Sequence, residues 1–160
     1  MTETAVSLPV GRGFKGGCLR SLEERDVPGM LEWMRDPAVA GQFQADFSSM
    51  GECDALEFVR SSWEDRRSIH LAIDEGEGYL GTVSLKNIDD RDASAEYAIS
   101  TRAAAHGTGA ALRATREVLS LAFGALGLNR VYLNVRADNG RARAFYRKVG
   151  FVEEGVARKA

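Results

Sequence analysis

Gly107, Thr108 and Gly109 stand at the start of a long stretch with helical apolar spacing, a pattern that suits anion binding. The start of a helix leaves several backbone N–H groups without intrahelical partners, and the helix dipole adds partial positive charge there. Because glycine has no side chain, a phosphate can approach this backbone closely. The segment therefore predicts a site for a pyrophosphate at a helix N-terminus.

The charges of the chain divide unevenly, and its basic part contains the glycine segment. Residues 1–101 carry 10 Lys and Arg against 19 Asp and Glu, whereas residues 102–148 carry nine basic residues against Glu117 and Asp138. This division fits a polyanionic ligand on the basic part and a cationic ligand on the acidic part. The alternative interpretation is that these charges lie on solvated helix faces and bind no ligand. We expect no nucleic-acid partner, because the sequence has no helix-turn-helix or RNP-like pattern.

The glycine segment is predicted to join a set of antiparallel strands to an amphipathic helix. Three stretches of alternating apolar residues predict strands, at residues 68–74, 79–87 and 93–100. Helical spacing from residue 107 to 126 predicts the helix, with Gly127 as its C-terminal cap.

Further elements are expected on both sides of this unit. Before it come a strand at residues 18–22, a helix with Asp26 as its N-cap and a helix over about residues 52–64. After it come a strand at residues 130–136, a helix capped by Asp138 or Asn139 that ends at Gly150, and a strand beginning at Phe151.

The length of 160 residues, with 44% hydrophobic and 28% charged residues, predicts a globular protein with one domain. We expect a loose lead-in over residues 1–16 and a single domain over residues 17–160. Cys18 and Cys53 have no disulfide or metal-ligand spacing, so a reducing compartment and no bound metal are expected. No membrane-spanning run or leader pattern is present in the sequence, which predicts a cytoplasmic protein without a membrane partner.

The order of elements and four segments resemble the GNAT superfamily of acetyl-CoA-dependent N-acetyltransferases, from about residue 17 to the end. The segments are YLGTVSL (79–85), AEYAIS (95–100), HGTGAA (106–111) and LGLNRVYLNVRADNGRARAFYRKVGFVEEG (126–155). The closest branch includes ribosomal-protein, spermidine and nucleotide-amino-sugar acetyltransferases. The resemblance implies an α+β fold in three layers, in which a mixed, mostly antiparallel sheet of about six strands is flanked by four helices. The last strand of the family is expected to be missing.

The resemblance also implies that acetyl-CoA is the co-substrate. Backbone N–H groups of the glycine segment would hold the pyrophosphate, and the end of the strand at 93–100 would pair with the pantetheine arm. Asn139 would hydrogen-bond to the pantetheine, with a helix cap as its other interpretation. The predicted cofactor contacts are Ile99, Ser100, Thr101, His106, Gly107, Thr108, Gly109, Ala110, Asn139 and Tyr146.

Acetyl transfer to an amine needs a base, a polarised thioester carbonyl and a proton for the leaving thiolate. Because an alkyl ammonium has a pKa near ~10.4, a base must remove its proton directly or through water. Glu96 is the first candidate and His70 the alternative, although either can have a structural role on its strand. The backbone N–H of Ile99 would polarise the carbonyl. The resemblance places Tyr146 near the sulfur as proton donor, with a core aromatic as the alternative.

One position departs from the family pattern. The family usually has Arg or Gln three residues before the first motif glycine, and this chain has Ala104 there. We therefore expect weaker CoA binding that relies on the backbone. Arg102 or His106 could supply the missing charge.

The predicted function is transfer of an acetyl group to the primary amine of a small molecule, an amino sugar or a polyamine, by direct attack in a ternary complex. A protein N-terminal acetyltransferase and a non-catalytic CoA-binding module are the alternatives. A homodimer is an open option for its assembly.

Overall fold

The computed structural model describes residues 14–37 and 50–154. Within these residues six strands form one sheet: β1 (Lys15–Gly16), β2 (Leu19–Ser21), β3 (Ile69–Ile73), β4 (Gly81–Asp89), β5 (Ser94–Thr101) and β6 (Arg130–Tyr132). The same ranges contain four α-helices: α1 (Val27–Met34), α2 (Glu52–Ser62), α3 (Ala110–Phe123) and α4 (Gly140–Val149). None of these helices is long and apolar enough to cross a membrane.

The six strands lie in the sheet in the order in which they occur in the chain. Neighbours from β1 to β5 are antiparallel, whereas β5 and β6 are parallel. Parallel neighbours need a crossover connection, and α3 provides it. The predicted mixed, mostly antiparallel sheet is therefore confirmed, and its one parallel junction lies between the strands on either side of α3.

Buried side chains cover both faces of the sheet, which produces the three predicted layers. On one face Val83 belongs to an apolar cluster with Val118 of α3. On the other face Ala72 packs with Met30 of α1 and Val59 of α2. Because successive side chains of a strand point to opposite faces, the alternation in β3 and β4 decides which helices each residue meets.

The sheet begins earlier than the domain boundary predicted at residue 17. Lys15 and Gly16 pair with β2 across a tight turn, where Gly17 has a φ of +59°. The N–H of Ser21 donates to the carbonyl of Phe14 at 2.9 Å, and the hydroxyl of Ser21 accepts from the N–H of Phe14 at 3.1 Å. Lys15 and Gly16 are thus part of the sheet, and the interpretation of residues 1–16 as a loose lead-in is wrong at its end. The rest of that lead-in, residues 1–13, lies outside the described residues.

Asp26 precedes α1 as predicted, but its side chain does not cap that helix. Its carboxylate accepts the N–H of Glu23 at 2.9 Å and closes a 3-10 turn at Glu24–Asp26. It also accepts two hydrogen bonds from the guanidinium of Arg20, at 2.8 and 2.9 Å. A buried cation from β2 therefore takes the oxygens that the sequence pattern assigned to the helix.

The bounds of α3 differ from the prediction at both ends. The helix begins at Ala110, because Gly109 has a φ of +82° and stands outside it as the N-cap residue. It ends at Phe123, and the N–H of Gly124, the C-cap residue, donates to the carbonyl of Ser120. Gly127, the predicted cap, lies in the turn that follows, with a φ of +64°.

Near the C-terminal end, one predicted strand begins as expected but is shorter, and another is absent from the described residues. β6 stops at Tyr132 rather than at residue 136, and the segment 151–154 is not a strand. The N–H of Phe151 donates to the carbonyl of Tyr146 after a left-handed Gly150. The ring of Phe151 then packs on Tyr97 and Tyr146, with centroid distances of 5.7 and 5.8 Å. This arrangement closes α4 with an apolar contact after its last turn.

Candidate functional site

The parallel pair of strands separates half-way along β5. Their register runs from Ser94 opposite Arg130 to Glu96 opposite Tyr132, where β6 ends. β5 continues to Thr101, paired with β4 alone among the described strands. The result is a gap beside the second half of β5, with Glu96 at the point where the strands part.

The direction of the β5 backbone follows from two hydrogen bonds. The N–H of Arg102 donates to the carbonyl of Leu80, which precedes β4. The carbonyl of Ala93 accepts from the N–H of Asn129, which precedes β6, so this bond lies on the opposite side of β5. Because backbone groups alternate along a strand, the N–H groups of Ile99 and Thr101 point into the gap.

Ser100 differs from its neighbours in this respect. It is paired with Thr82, and its carbonyl lies close to Gly81, so its backbone faces β4. The backbone contact with the cofactor that the sequence predicted for Ser100 is therefore not available in this geometry. Ile99 and Thr101 provide the exposed polar groups of the gap.

The glycine loop lies after β5, with φ angles of +77° at Gly107 and +82° at Gly109. The N–H of Thr108 donates to the carbonyl of Ala105 at 3.3 Å, and the N–H of Ala110 donates to the hydroxyl of Thr108 at 3.2 Å. No described residue accepts the N–H groups of Gly107 and Gly109. Of the four residues predicted to bind the cofactor in this loop, Gly107 and Gly109 thus have N–H groups free for an anion, whereas those of Thr108 and Ala110 hold the loop in shape.

The first turn of α3 adds two further amides next to the loop. The N–H of Arg113 donates to the carbonyl of Gly109 at 3.0 Å. Ala111 and Leu112 precede this bond, so their N–H groups have no acceptor one turn back in the helix. The sequence predicted a helix start at Gly107. Because the helix begins at Ala110 instead, the N–H groups left free by its first turn are those of Ala111 and Leu112.

The two side chains predicted to replace the charge lost at Ala104 differ in their contacts. The guanidinium of Arg102 donates to Glu32 of α1 at 2.9 and 3.1 Å and to the carbonyl of Tyr79 at 3.1 Å. Its bonds are therefore directed at α1 and away from the loop. His106 is exposed after a 3-10 turn at Ala103–Ala105.

Arg113 of α3 is a residue of this region that was not among the predicted site residues. Its Nη2 donates to the carbonyl of Thr108 at 3.1 Å, and its guanidinium pairs with Glu75 in the turn between β3 and β4. Arg113 follows Gly109 by four residues. In a helix this spacing brings a side chain back over the preceding turn, so it could have identified Arg113 as a neighbour of the loop.

Tyr146 of α4 lies in an aromatic cluster. Its ring meets the rings of Tyr97, Phe145 and Phe151 edge-on, at centroid distances of 5.8, 5.4 and 5.8 Å. Burial raises the pKa of Tyr146 to about 12. Its hydroxyl has no hydrogen-bond partner among the described residues, so it can serve an incoming group.

Tyr97 fixes this cluster to the start of α3. The hydroxyl of Thr115 donates to the carbonyl of Ala111 at 2.7 Å. The hydroxyl of Tyr97 lies 2.6 Å from the oxygen of Thr115 and must therefore donate to it. Two neutral hydroxyls thus connect β5, the aromatic cluster and the first turn of the helix.

The two candidate bases lie at different places on the sheet. Glu96 is half-buried opposite Lys86, and its carboxylate accepts from the amide of Asn87 at 3.3 Å. His70 lies two strands away on β3, where its Nδ1 is 2.6 Å from the hydroxyl of Ser84. Burial lowers the pKa of His70 to about 4, so the ring is neutral at neutral pH. Of the two, Glu96 is the residue that borders the gap.

Asn139 is the N-cap of α4, as predicted. Its Oδ1 accepts the N–H of Ala142 at 3.1 Å. Within the described residues its Nδ2 has no partner, so the same side chain can cap the helix and still donate a hydrogen bond.

The sequence of this chain matches the acetyltransferase (GNAT) domain family over residues 18–152. The chain belongs to the GNAT family. A relative from Bacillus subtilis named as a ribosomal N-acetyltransferase, YdaF, is 31% identical over 99 residues, which are 62% of this chain and 54% of that protein. The spermidine N(1)-acetyltransferase of Vibrio cholerae is 30% identical over 113 residues, which are 71% of this chain and 65% of that enzyme.

A solved GNAT structure supports the same conclusion. The crystal structure of spermidine N-acetyltransferase from Vibrio cholerae in complex with CoA and spermine has a TM-score of 0.78 and 25% identity, covering 86% of this chain and 81% of that one. The chain spans about half of YdaF and slightly less than two thirds of the Vibrio sequence relative. The predicted family and the predicted GNAT fold are both confirmed.

Proposed function

We propose that this GNAT protein transfers an acetyl group from acetyl-CoA to the primary amine of a small molecule. The observation that carries the proposal is the gap beside β5, which lies on the same stretch of chain as a glycine loop with free amides. The Vibrio cholerae enzyme, which was crystallised with CoA and spermine, supports both the co-substrate and the class of acceptor.

Acetyl-CoA would supply the activated acetyl group, and this chain's residues would bind and orient it. The N–H groups of Gly107 and Gly109 would hold the pyrophosphate, with those of Ala111 and Leu112 close by. Thr108 and Ala110 would support the loop through the bonds described above.

The pantetheine arm would run along the gap. The backbone of Ile99 and Thr101 would pair with it, and the Nδ2 of Asn139 would donate to it. His106 is exposed next to the loop and remains a predicted phosphate contact. Ser100 would not donate its N–H to the arm, because its backbone faces β4.

Three groups would act on the reacting atoms. Glu96 would take the proton of the ammonium, directly or through water, so that the neutral nitrogen can attack the carbonyl carbon. The N–H of Ile99 would stabilise the developing negative charge on the carbonyl oxygen. Tyr146 would give its hydroxyl proton to the sulfur as the carbon–sulfur bond breaks, and the second proton lost by the nitrogen as it becomes an amide would restore the Tyr146 hydroxyl. With a pKa of about 12, Tyr146 carries its proton at neutral pH, as a proton donor must.

The amine class remains part of the proposal. The spermidine acetyltransferases among the relatives favour a polyamine, and an amino sugar stays open. YdaF, named as a ribosomal N-acetyltransferase, keeps a protein N-terminal acetyltransferase as the alternative. A metal-free reaction in the cytoplasm and a homodimer also stay predictions.

The experiment is thiol release from acetyl-CoA with a panel of polyamines, amino sugars and peptides, for the unchanged chain and for Tyr146→Phe. We expect turnover with small amines and a kcat about 10²-fold lower in Tyr146→Phe, since general acid catalysis contributes about that much. Calorimetry with CoA should give equal affinities for both proteins. Turnover with peptides alone would favour the alternative, and CoA binding with no turnover would indicate a non-catalytic module.

A further inference from the structure

The side chain of Arg113 folds back over the glycine loop. Its Nη2 donates to the carbonyl of Thr108, and its Nη1 would lie only 2.7 Å from a Cβ built on Gly109. The guanidinium therefore lies directly against the backbone of the loop. About half of the side chain remains exposed, so an anion can reach its outer edge.

Within the part of the chain that the structure describes, the other basic side chains make no hydrogen bond to the loop. Ala104 replaces the basic or amide residue of the family pattern, and Arg102 is bound to Glu32 and the carbonyl of Tyr79. Among the described residues, Arg113 is the cationic side chain that hydrogen-bonds to the loop.

Glu75 holds the other edge of this guanidinium. Its carboxylate accepts from Nη2 of Arg113 at 2.7 Å and from Nε. The turn that carries Glu75 is itself fixed, because Asp74 accepts the N–H groups of Gly76 and Gly78 at 2.8 and 3.1 Å. A carboxylate thus already occupies two of the donor nitrogens that Arg113 could offer to an anion on the loop.

We propose that Arg113 is a phosphate-binding residue of the CoA site and that Glu75 competes with the phosphate for it. The inference rests on the proposed function, since it assumes that CoA binds at the loop. Arginine has five donors in a planar fork and pairs with carboxylates and phosphates in the same bidentate manner. When the pyrophosphate binds, Arg113 turns part of its fork from Glu75 to a phosphate oxygen. Glu75 thereby lowers the affinity for the cofactor.

The test is calorimetric titration of CoA into four proteins: the unchanged chain, Arg113→Met, Glu75→Gln and Arg116→Met. Arg116 is exposed and lies one turn further along α3, so its variant is the matched control for loss of one positive charge. Methionine keeps the apolar stem and the helix propensity of arginine. Thermal unfolding shows that each variant is folded.

The variants should change affinity in opposite directions. We expect Arg113→Met to weaken CoA binding about ten-fold, as for a charge-assisted hydrogen bond at a partly exposed site. Glu75→Gln should strengthen binding about two- to five-fold, which corresponds to releasing an exposed ion pair. Arg116→Met should change it less than about two-fold. Dephospho-CoA, which lacks the 3′-phosphate, should give the same ratios, because the contact is with the pyrophosphate.

Several results would overturn the inference. Unchanged affinity in Arg113→Met would do so, as would weaker binding in Glu75→Gln, since the pair would then only brace the loop. Loss of the Arg113 effect with dephospho-CoA would assign the contact to the 3′-phosphate. If Arg113→Met does not fold, Glu75→Gln decides alone. Failure of the unchanged chain to bind CoA would contradict the proposed function as well, so the two failures are distinguishable.

Discussion

Substitutions at Gly107 can separate the effect of an added charge on CoA binding from the effect of a changed loop conformation. The residue has a φ of +77°, and a Cβ built on it would meet no atom within 4 Å. Asn and Asp have almost the same shape and tolerate the left-handed region better than other residues with a side chain. Gly107→Asn and Gly107→Asp should therefore lose a similar amount of stability, about 1 kcal/mol, from the backbone conformation alone.

The two variants differ in one negative charge, placed where the phosphate is proposed to bind. Two unit charges about 4 Å apart repel each other by ~1 kcal/mol in water and by ~4 kcal/mol near a protein surface. This energy corresponds to a weakening of CoA binding between about 5-fold and about 1,000-fold. We expect Gly107→Asp to bind CoA at least about ten-fold more weakly than Gly107→Asn at low salt, with a smaller difference at high salt.

Calorimetry measures the two affinities, and circular dichroism checks that both variants are folded. Equal affinities of the Asn and Asp variants at low salt would refute the assignment of the loop to the phosphates. An equal loss of affinity in both variants, relative to the unchanged chain, would show that side-chain volume matters and charge does not.

Two further predictions concern stability. Burial lowers the pKa of His70 from 6.5 to about 4, so its contribution is complete above pH 6.5 and is lost as the pH falls toward 4, by up to ~3 kcal/mol. Urea unfolding across this range should show the fall, and His70→Gln should remove it; parallel pH profiles would contradict the assignment. Arg20→Met leaves the carboxylate of Asp26, which is 2% exposed, without its bidentate partner and should cost ~3–5 kcal/mol. The control Arg25→Met breaks an exposed pair and should cost less than ~1 kcal/mol, so an equal loss in both would contradict this account.

The fold could be predicted where the pattern along the chain is local. Ile69, Leu71 and Ile73 alternate and form β3 as predicted, because a period of two is a property of one strand with one buried face. The apolar face of α3 that contains Val118 was predicted in the same way, from the helical period of 3.6 residues, which is also a local property. The resemblance to the family then supplied the order of the layers.

The prediction failed where distant residues decide the outcome. The alternation in residues 130–136 is real, but β6 ends at Tyr132, where its pairing with β5 stops, and no local pattern encodes that pairing. Asp26 is a good N-cap residue by type, and its oxygens are taken by Arg20 on another strand. At the candidate site, the contacts of Arg113 with Glu75 depend on a turn 38 residues earlier in the chain.

The central claim is that this chain acetylates small amines, and mass spectrometry of the amine tests it most directly. The unchanged protein is incubated with acetyl-CoA and one polyamine or amino sugar at a time, and the acetylated amine and the free CoA are both quantified. The account predicts a singly acetylated primary amine in a one-to-one ratio with CoA for at least one of these compounds. CoA binding without an acetylated amine from any of them, or acetylation of peptides alone, would contradict it.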